Sequence, residues 1–410
     1  MNAYERLLKY VVIRTPSNEE SETTPSSQCQ FDLANVLKKE MEELGICDVT
    51  LTDTCFLYGK IPATPGCENA PAIGFIAHMD TVSDYCDHDI KPVITRNYDG
   101  EALALGESGL VLSPEMFPHL KTLKERTLIT SDGTTILGAD DKAGIAGILT
   151  MVERLKTQSI PHGPLCIAFT PDEETGTGAS HFDLQTFGAD FAYTLDGGME
   201  NGIEYETFNA SSAVVEFHGV SVHPGSSKDT MINASLVAME FDSMLPKGER
   251  PRDTDGYEGF YHLMKMEGEC SYAKLNYIIR DHDAENFNHR KEIMQQIADD
   301  LNTKWGEGTV SLTLKDQYRN MREVIEQHMH LIDNAKKACE AVGLTPVCLP
   351  VRGGTDGCQL SFRGLPCPNL GTGGYAYHGP YEHITAEGMD LSVDLILGVL
   401  KRYASFKAGE

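Results

Sequence analysis

The sequence predicts an α/β protein, with a mixed, mainly parallel sheet flanked by helices and one inserted ferredoxin-like (β-α-β-β-α-β) domain. Three observations predict it. In the first half of the chain, short apolar runs bounded by turn formers alternate with helical patterns. Near Asn209 the texture changes, and strand, helix, strand, strand, helix and strand patterns follow in order. The length of 410 residues exceeds what one simple core accommodates. The expected boundaries are 1–208 with 321–410 for the main domain and 209–320 for the insertion.

Residues 5–44 are largely helical in pattern, broken by a Ser/Thr/Pro/Glu stretch at 15–27. Ala72-Ile73-Gly74-Phe75-Ile76-Ala77, between Pro71 and Asp80, is short and apolar throughout, so it reads as a buried strand. Residues 165–170 repeat that pattern after a helix over about 144–156, and 191–195 repeat it again. Such alternation favours parallel neighbours with helices on both faces. Within the insertion, strands are expected at 213–220, 260–266, 274–280 and 310–315, with helices at 230–245 and 285–305. After Met321 a helix is expected through residue 341, then strands near 345–349 and 368–370.

Composition narrows the function. A formal charge of −27 disfavours nucleic acid and anionic membranes as partners, because both need concentrated Lys and Arg. No stretch approaches the roughly 20 apolar residues of a spanning helix. The N-terminus lacks a basic segment followed by an apolar core, so a cytoplasmic protein is expected. The eleven cysteines are dispersed with no Cys-x-x-Cys pair, which argues for reduced thiols and against zinc-thiolate clusters.

Polar groups gather where the strands end, the usual ligand position in open α/β sheets. His78 and Asp80 follow the first run two residues apart and share a face, so Asp80 can orient His78 for metal. Asp140 and Asp141 stand among small residues before a helix; Asp141 is a natural N-cap, which frees Asp140. Asp172-Glu173-Glu174 ends the second strand, where grouped acids repel unless a cation or proton intervenes. Asp196 ends the third. His378 and His383 compete for a late imidazole, and spacing does not separate them. Taken singly, each motif also has a plain reading as a surface pair, a cap or an acidic turn. Taken together, three carboxylates and two neutral imidazoles balance two divalent ions plus a bridging hydroxide. Such ions sit about 3.5–4 Å apart and acidify the water between them. No His-Glu-x-x-His, Gly-x-Ser-x-Gly or Walker loop is present.

The set His78-Met79-Asp80-Thr81, Gly138 to Gly144, Asp172 to Gly176, Asp196-Gly197-Gly198, His223-Pro224-Gly225, Arg352 to Gly357 and Tyr377-His378-Gly379 runs nearly end to end. In this order the motifs resemble the zinc metallopeptidases that include carboxypeptidase G-type enzymes, aminoacylases and cytosolic dipeptidases, and within them the tripeptide aminopeptidases. The resemblance implies two Zn2+ per subunit, bridged by Asp140, with His78 and Asp196 on one ion and Glu174 and His378 on the other. It implies Glu173 as the general base acting on a zinc-bridging hydroxide, Asp80 as the group orienting His78, and a cis peptide after Asp140. It also implies that His223 holds the scissile carbonyl, and that Arg280 and Arg352 bind the C-terminal carboxylate of a small peptide. The insertion would serve as lid and dimerisation domain of a homodimer. Pro380 stands where the family pattern leads one to expect a basic residue. Two rival readings are another amidohydrolase of the same clan (dipeptidase, carboxypeptidase or N-acyl amino acid deacylase) and a non-catalytic metal-binding relic.

Overall fold

Buried apolar strands build the larger of two units. In the computed structural model, which describes residues 1–404, this unit comprises Met1–Tyr205, Met321–Leu349 and the chain from Thr355 on. Its seven strands lie in the order Cys47–Leu51, Leu57–Ile61, Leu165–Thr170, Ile73–His78, Phe191–Gly197, Asn369–Gly371, Ile203–Glu204. Ile73–His78 and Leu165–Thr170 are buried at every residue, as strands covered by helices on both faces must be. The four central strands run parallel, with His78 opposite Thr170 and Ile73 opposite Phe191. The three outer strands pair antiparallel. Parallel pairing is therefore confined to the centre, and its consequence is functional: the carboxyl ends of the central strands open on one edge.

Helix Ala139–Gln158 packs against this sheet through a close approach at Gly144. A Cβ there would lie 2.0 Å from the carbonyl oxygen of Leu195, so only glycine lets the helix start beside the strand that carries Asp196. The strand expected near 345–349 is instead a single bridge between Val347 and Gly202. Pro346 and Pro350 flank it and supply no N–H to extend a ladder. A four-stranded sheet of two- and three-residue strands also escaped the sequence reading; it includes Gly374–Tyr375 paired antiparallel with His383–Thr385. That hairpin presents residues 376–382.

The second unit comprises Glu206–Asn320 and Pro350–Gly354. Its elements follow as Asn209–His218, helix Ala234–Met244, Phe260–Gly268, Tyr272–Asp281, helix Ala284–Trp305 and Val310–Tyr318. All neighbouring strands are antiparallel, in the order Phe260–Gly268, Tyr272–Asp281, Asn209–His218, Val310–Tyr318, which is the ferredoxin-like arrangement. Burial alternates along Tyr272–Asp281, so one face packs Leu275, Tyr277 and Ile279 against Val237, Phe241, Met294 and Ile297 of the helices. Side chains cap both helices. Asn233 accepts from the Leu236 N–H and Asp283 from the Asn286 N–H. Among the described residues, no helix is long and apolar enough to cross a membrane.

Candidate metal centre

His78 closes its strand with a fully enclosed ring. Its Nδ1 lies 3.0 Å from the Asp80 carbonyl oxygen and 3.3 Å from Asp80 Oδ1. This turns Nε2 toward the acids, 2.9 Å from Asp140 Oδ1 and 3.4 Å from Asp196 Oδ1. On the other side, His378 Nε2 lies 3.0 Å from Asp140 Oδ2 and 3.2 Å from Glu174 Oε2. The Asp140 carboxylate thus stands between two imidazoles, one oxygen toward each. The two halves differ in access: the His378 side chain is 53% exposed and the His78 side chain 2%.

Local structure explains why these side chains meet. The peptide between Asp140 and Asp141 is cis, as the resemblance implies. Asp141 uses both oxygens on backbone N–H groups, Oδ1 on Gly144 and Oδ2 on His78. It acts as the expected cap and leaves Asp140 to face the histidines. Asp80 does more than orient His78. Its two oxygens also accept the N–H groups of Glu173 and Glu174 at 3.0 and 3.2 Å, which ties both acids to the histidine strand. Asp172, the first acid of its triplet, turns away and accepts from Ser26 and Gln30. Asp172 and His378 both adopt left-handed φ (57° and 63°), a conformation non-glycine residues tolerate mainly where surroundings enforce it.

The electrostatics are those of acids crowded beyond what the protein's own cations balance. Among the described residues, every ion pair of Asp140, Glu174 and Asp196 is with His78 or His378. Burial, then the charge of Asp140, pushes Glu174 up to about 7. Burial also raises Asp196 to about 6. Hydrogen bonds that His378 donates to Asp140 and Glu174 raise it to about 11. Burial alone would lower His78, but Asp196 and Asp140 overcome it and hold the ring well above its ordinary value. Enclosure, then the Asp196 charge, drives Glu173 far above the usual carboxylate range. Glu174 Oε1 is buried without a hydrogen-bond partner. His78, Asp140 and Glu174 offer ligand atoms within 4.8 Å of one another, as do His78, Asp141 and Asp196. A pair of divalent cations fits this donor set: it supplies the missing positive charge and a partner for the orphaned oxygen. Asp141, with both oxygens already bonded, is the weaker ligand of the second group.

His383 stands outside the cluster. Its Nδ1 faces the Tyr381 carbonyl at 2.7 Å and its Nε2 faces His119 Nε2 at 2.9 Å, and burial lowers it to about 4. His223, Arg280 and Arg352 belong to the second unit. His223 caps a short turn, and its Nδ1 accepts from the Gly225 N–H, which leaves the proton of the neutral ring on Nε2. Arg280 donates to the carbonyls of Ser211 and Ile279. The acids beside it are used elsewhere, Asp281 by Arg290 and Asp283 as a helix cap. Arg352 donates to the carbonyls of Gly256 and Glu258 and to Thr254 Oγ1, with its guanidinium over the rings of Phe208 and Phe260.

Two supports were not found from sequence. Asn369 Oδ1 accepts the Asp196 N–H while its Nδ2 donates to Glu204, fixing the strand end that carries Asp196. Glu382 accepts three N–H groups of the loop that carries Asp140. The only sequence signal for either is proximity to a strand end or to His378.

Residues 132–402 match the model of peptidase family M20/M25/M40. The chain is 51% identical to peptidase T of Clostridium perfringens, covering 98% of each chain. It superposes on the crystal structure of aminopeptidase PepT from Bacillus cereus with a TM-score of 0.76, at 24% identity over 98% of each chain. A similar fold (TM-score 0.65, 13% identity, 99% of each chain) occurs in the YXEP protein of Bacillus subtilis, described as a dinuclear metal binding peptidase of the M20 family.

Proposed function

Since the chain belongs to peptidase family M20/M25/M40, we propose that it is a two-zinc aminopeptidase that releases the N-terminal residue of tripeptides. The observation that carries the metal reading is the Asp140 carboxylate with one oxygen toward each histidine. The substrate reading rests on full-length similarity to peptidase T. His78 and Asp196 would hold one ion, Glu174 and His378 the other, and Asp140 both. Two divalent ions held there would supply Lewis acidity toward the scissile carbonyl and lower the pKa of the attacking water.

The chain's own residues supply the rest. Glu173 sits beside Glu174, enclosed next to the acid cluster, where burial and the Asp196 charge raise its affinity for a proton. As the carboxylate it is the group proposed to take a proton from water and return it to the leaving amine. Asp80 fixes the His78 ring and the Glu173 backbone together, so ligand and base share one anchor. His223, with its proton on Nε2, is the donor assigned to the carbonyl oxygen of the scissile bond. Arg280 and Arg352 are assigned to the C-terminal carboxylate. A panel of free tripeptides, dipeptides, N-blocked peptides and N-acyl amino acids tests the reading. Free tripeptides are expected to give the highest kcat/KM; preference for N-blocked substrates would refute it.

The protein is further assigned as a homodimer through the second unit. Phe260–Gly268 is an edge strand of the four-stranded sheet, with only Tyr272–Asp281 as a strand neighbour among the described residues, and Met264 and Met266 on it are 59% and 43% exposed. Such an edge is normally covered or blunted. Sedimentation at micromolar concentration is expected to give twice the chain mass, and a monomer there overturns the assignment.

A further inference from the structure

The geometry points to Glu382 as a positioning residue that locks the His378 hairpin onto the Asp140 loop and thereby builds the outer of the two ion sites. The inference rests on the two-ion reading above. Glu382 is buried to 1% exposure at the end of the segment presented by the Gly374–Tyr375 and His383–Thr385 strands. Its Oε2 accepts the N–H groups of Leu137 and Gly138, both at 2.7 Å, and its Oε1 accepts the Asp140 N–H at 3.0 Å. One carboxylate therefore gathers three backbone donors of the segment that delivers the bridging ligand. Four residues before it, His378 points Nε2 at the Asp140 carboxylate. The Glu382 side chain thus fixes the separation of Asp140 and His378 from the backbone side, and bound ions would fix it from the other.

Both ion sites share Asp140, but they depend on this contact unequally, because the inner site would keep two ligands held independently of Glu382. His78 and Asp196 end strands of the central sheet, and their supports are Asp80 and Asn369, neither of which involves Glu382. Of the outer ligands, Glu174 is held by Asp80, but His378 lies on a hairpin segment whose link to the Asp140 loop is Glu382. The base of that hairpin is held separately by the His383 to His119 contact and by Tyr375 stacked on His119 at 4.2 Å. Replacing Glu382 should therefore loosen the His378 end without unmaking the fold.

Glu382→Gln keeps the shape but turns an NH2 toward backbone donors, so at least one of the three bonds is lost and replaced by an opposed donor. Chelator-stripped wild type and variant are titrated with Co2+, following ion count by calorimetry and the visible absorption of each bound ion. Wild type is expected to take two ions. In Glu382→Gln the first is expected to bind nearly as in wild type and the second about 10–100-fold more weakly, as is common for loss of a ligand's supporting partner. Unchanged constants for both ions, or equal weakening of both, would overturn the positioning role. Wild type that takes fewer than two ions would overturn the two-ion reading itself, and this inference with it. Should the glutamine variant prove insoluble, Glu382→Asp keeps both oxygens on a shorter reach, and the same selective weakening is expected from it.

Discussion

Glu173→Gln is expected to lower kcat on a free tripeptide by roughly 10²–10⁴, the span that positioned general acid–base groups contribute, while both metal ions stay bound. Among the described residues Glu173 makes no ion pair with either histidine; its neighbour Glu174 faces His378 instead. Its backbone N–H, held by Asp80, survives the substitution. The glutamine amide fills the same space but cannot take a proton. The deficit should therefore fall on kcat with little change in KM, the pattern of an interaction made in the transition state. Stopped-time assays with metal content measured on the same samples separate this from metal loss. A variant with near wild-type kcat would remove Glu173 from the mechanism; one that loses metal in step with activity would make it a ligand.

The difference between Glu173 and Asp172 shows how far the sequence could be read. Three consecutive acids after a buried strand announce a charged site, but nothing in their order says which of them turns inward. That depends on Ser26 and Gln30, remote in sequence, which claim Asp172 and leave Glu173 and Glu174 to the cluster. The central strands were legible because burial on both faces demands continuous apolar runs, and the inserted unit because its elements alternate in a pattern that closes on itself. The hairpin carrying His378 was not, since two- and three-residue strands have no periodicity to detect. For the same reason spacing could not choose between His378 and His383. The choice lies in His119, which occupies the His383 ring from far along the chain. Supporting residues such as Glu382 and Asn369 are invisible for a related reason: the contacts by which they hold Asp140 and Asp196 are to backbone N–H groups, which carry no side-chain signature.

Asp140→Asn should separate ligation from proton transfer most sharply. It removes one charge and replaces one of two ligand oxygens by an NH2, at the residue whose oxygens face both His78 and His378. Whichever way the amide turns, one imidazole side keeps an oxygen and the other meets a donor. Both ions lose the shared charge and one loses its ligand altogether, so the weakening at that ion should exceed the roughly 10–100-fold typical of a lost supporting partner. The loss reads directly in stability. An ion that binds only the folded chain raises ΔG of unfolding by about 2.7 kcal/mol at a hundredfold excess over its Kd. Chelator-stripped wild type should accordingly show a clear rise in Tm on adding Zn2+, and the variant a much smaller one with a substoichiometric ion count. Turnover should fall with occupancy, unlike in Glu173→Gln, where occupancy is kept. If Asp140→Asn retained both ions and the full rise in Tm, the bridge would have to be reassigned. Asp141 could take that role only by giving up its bonds to the His78 and Gly144 backbone, at the cost of the helix start that now places Asp140.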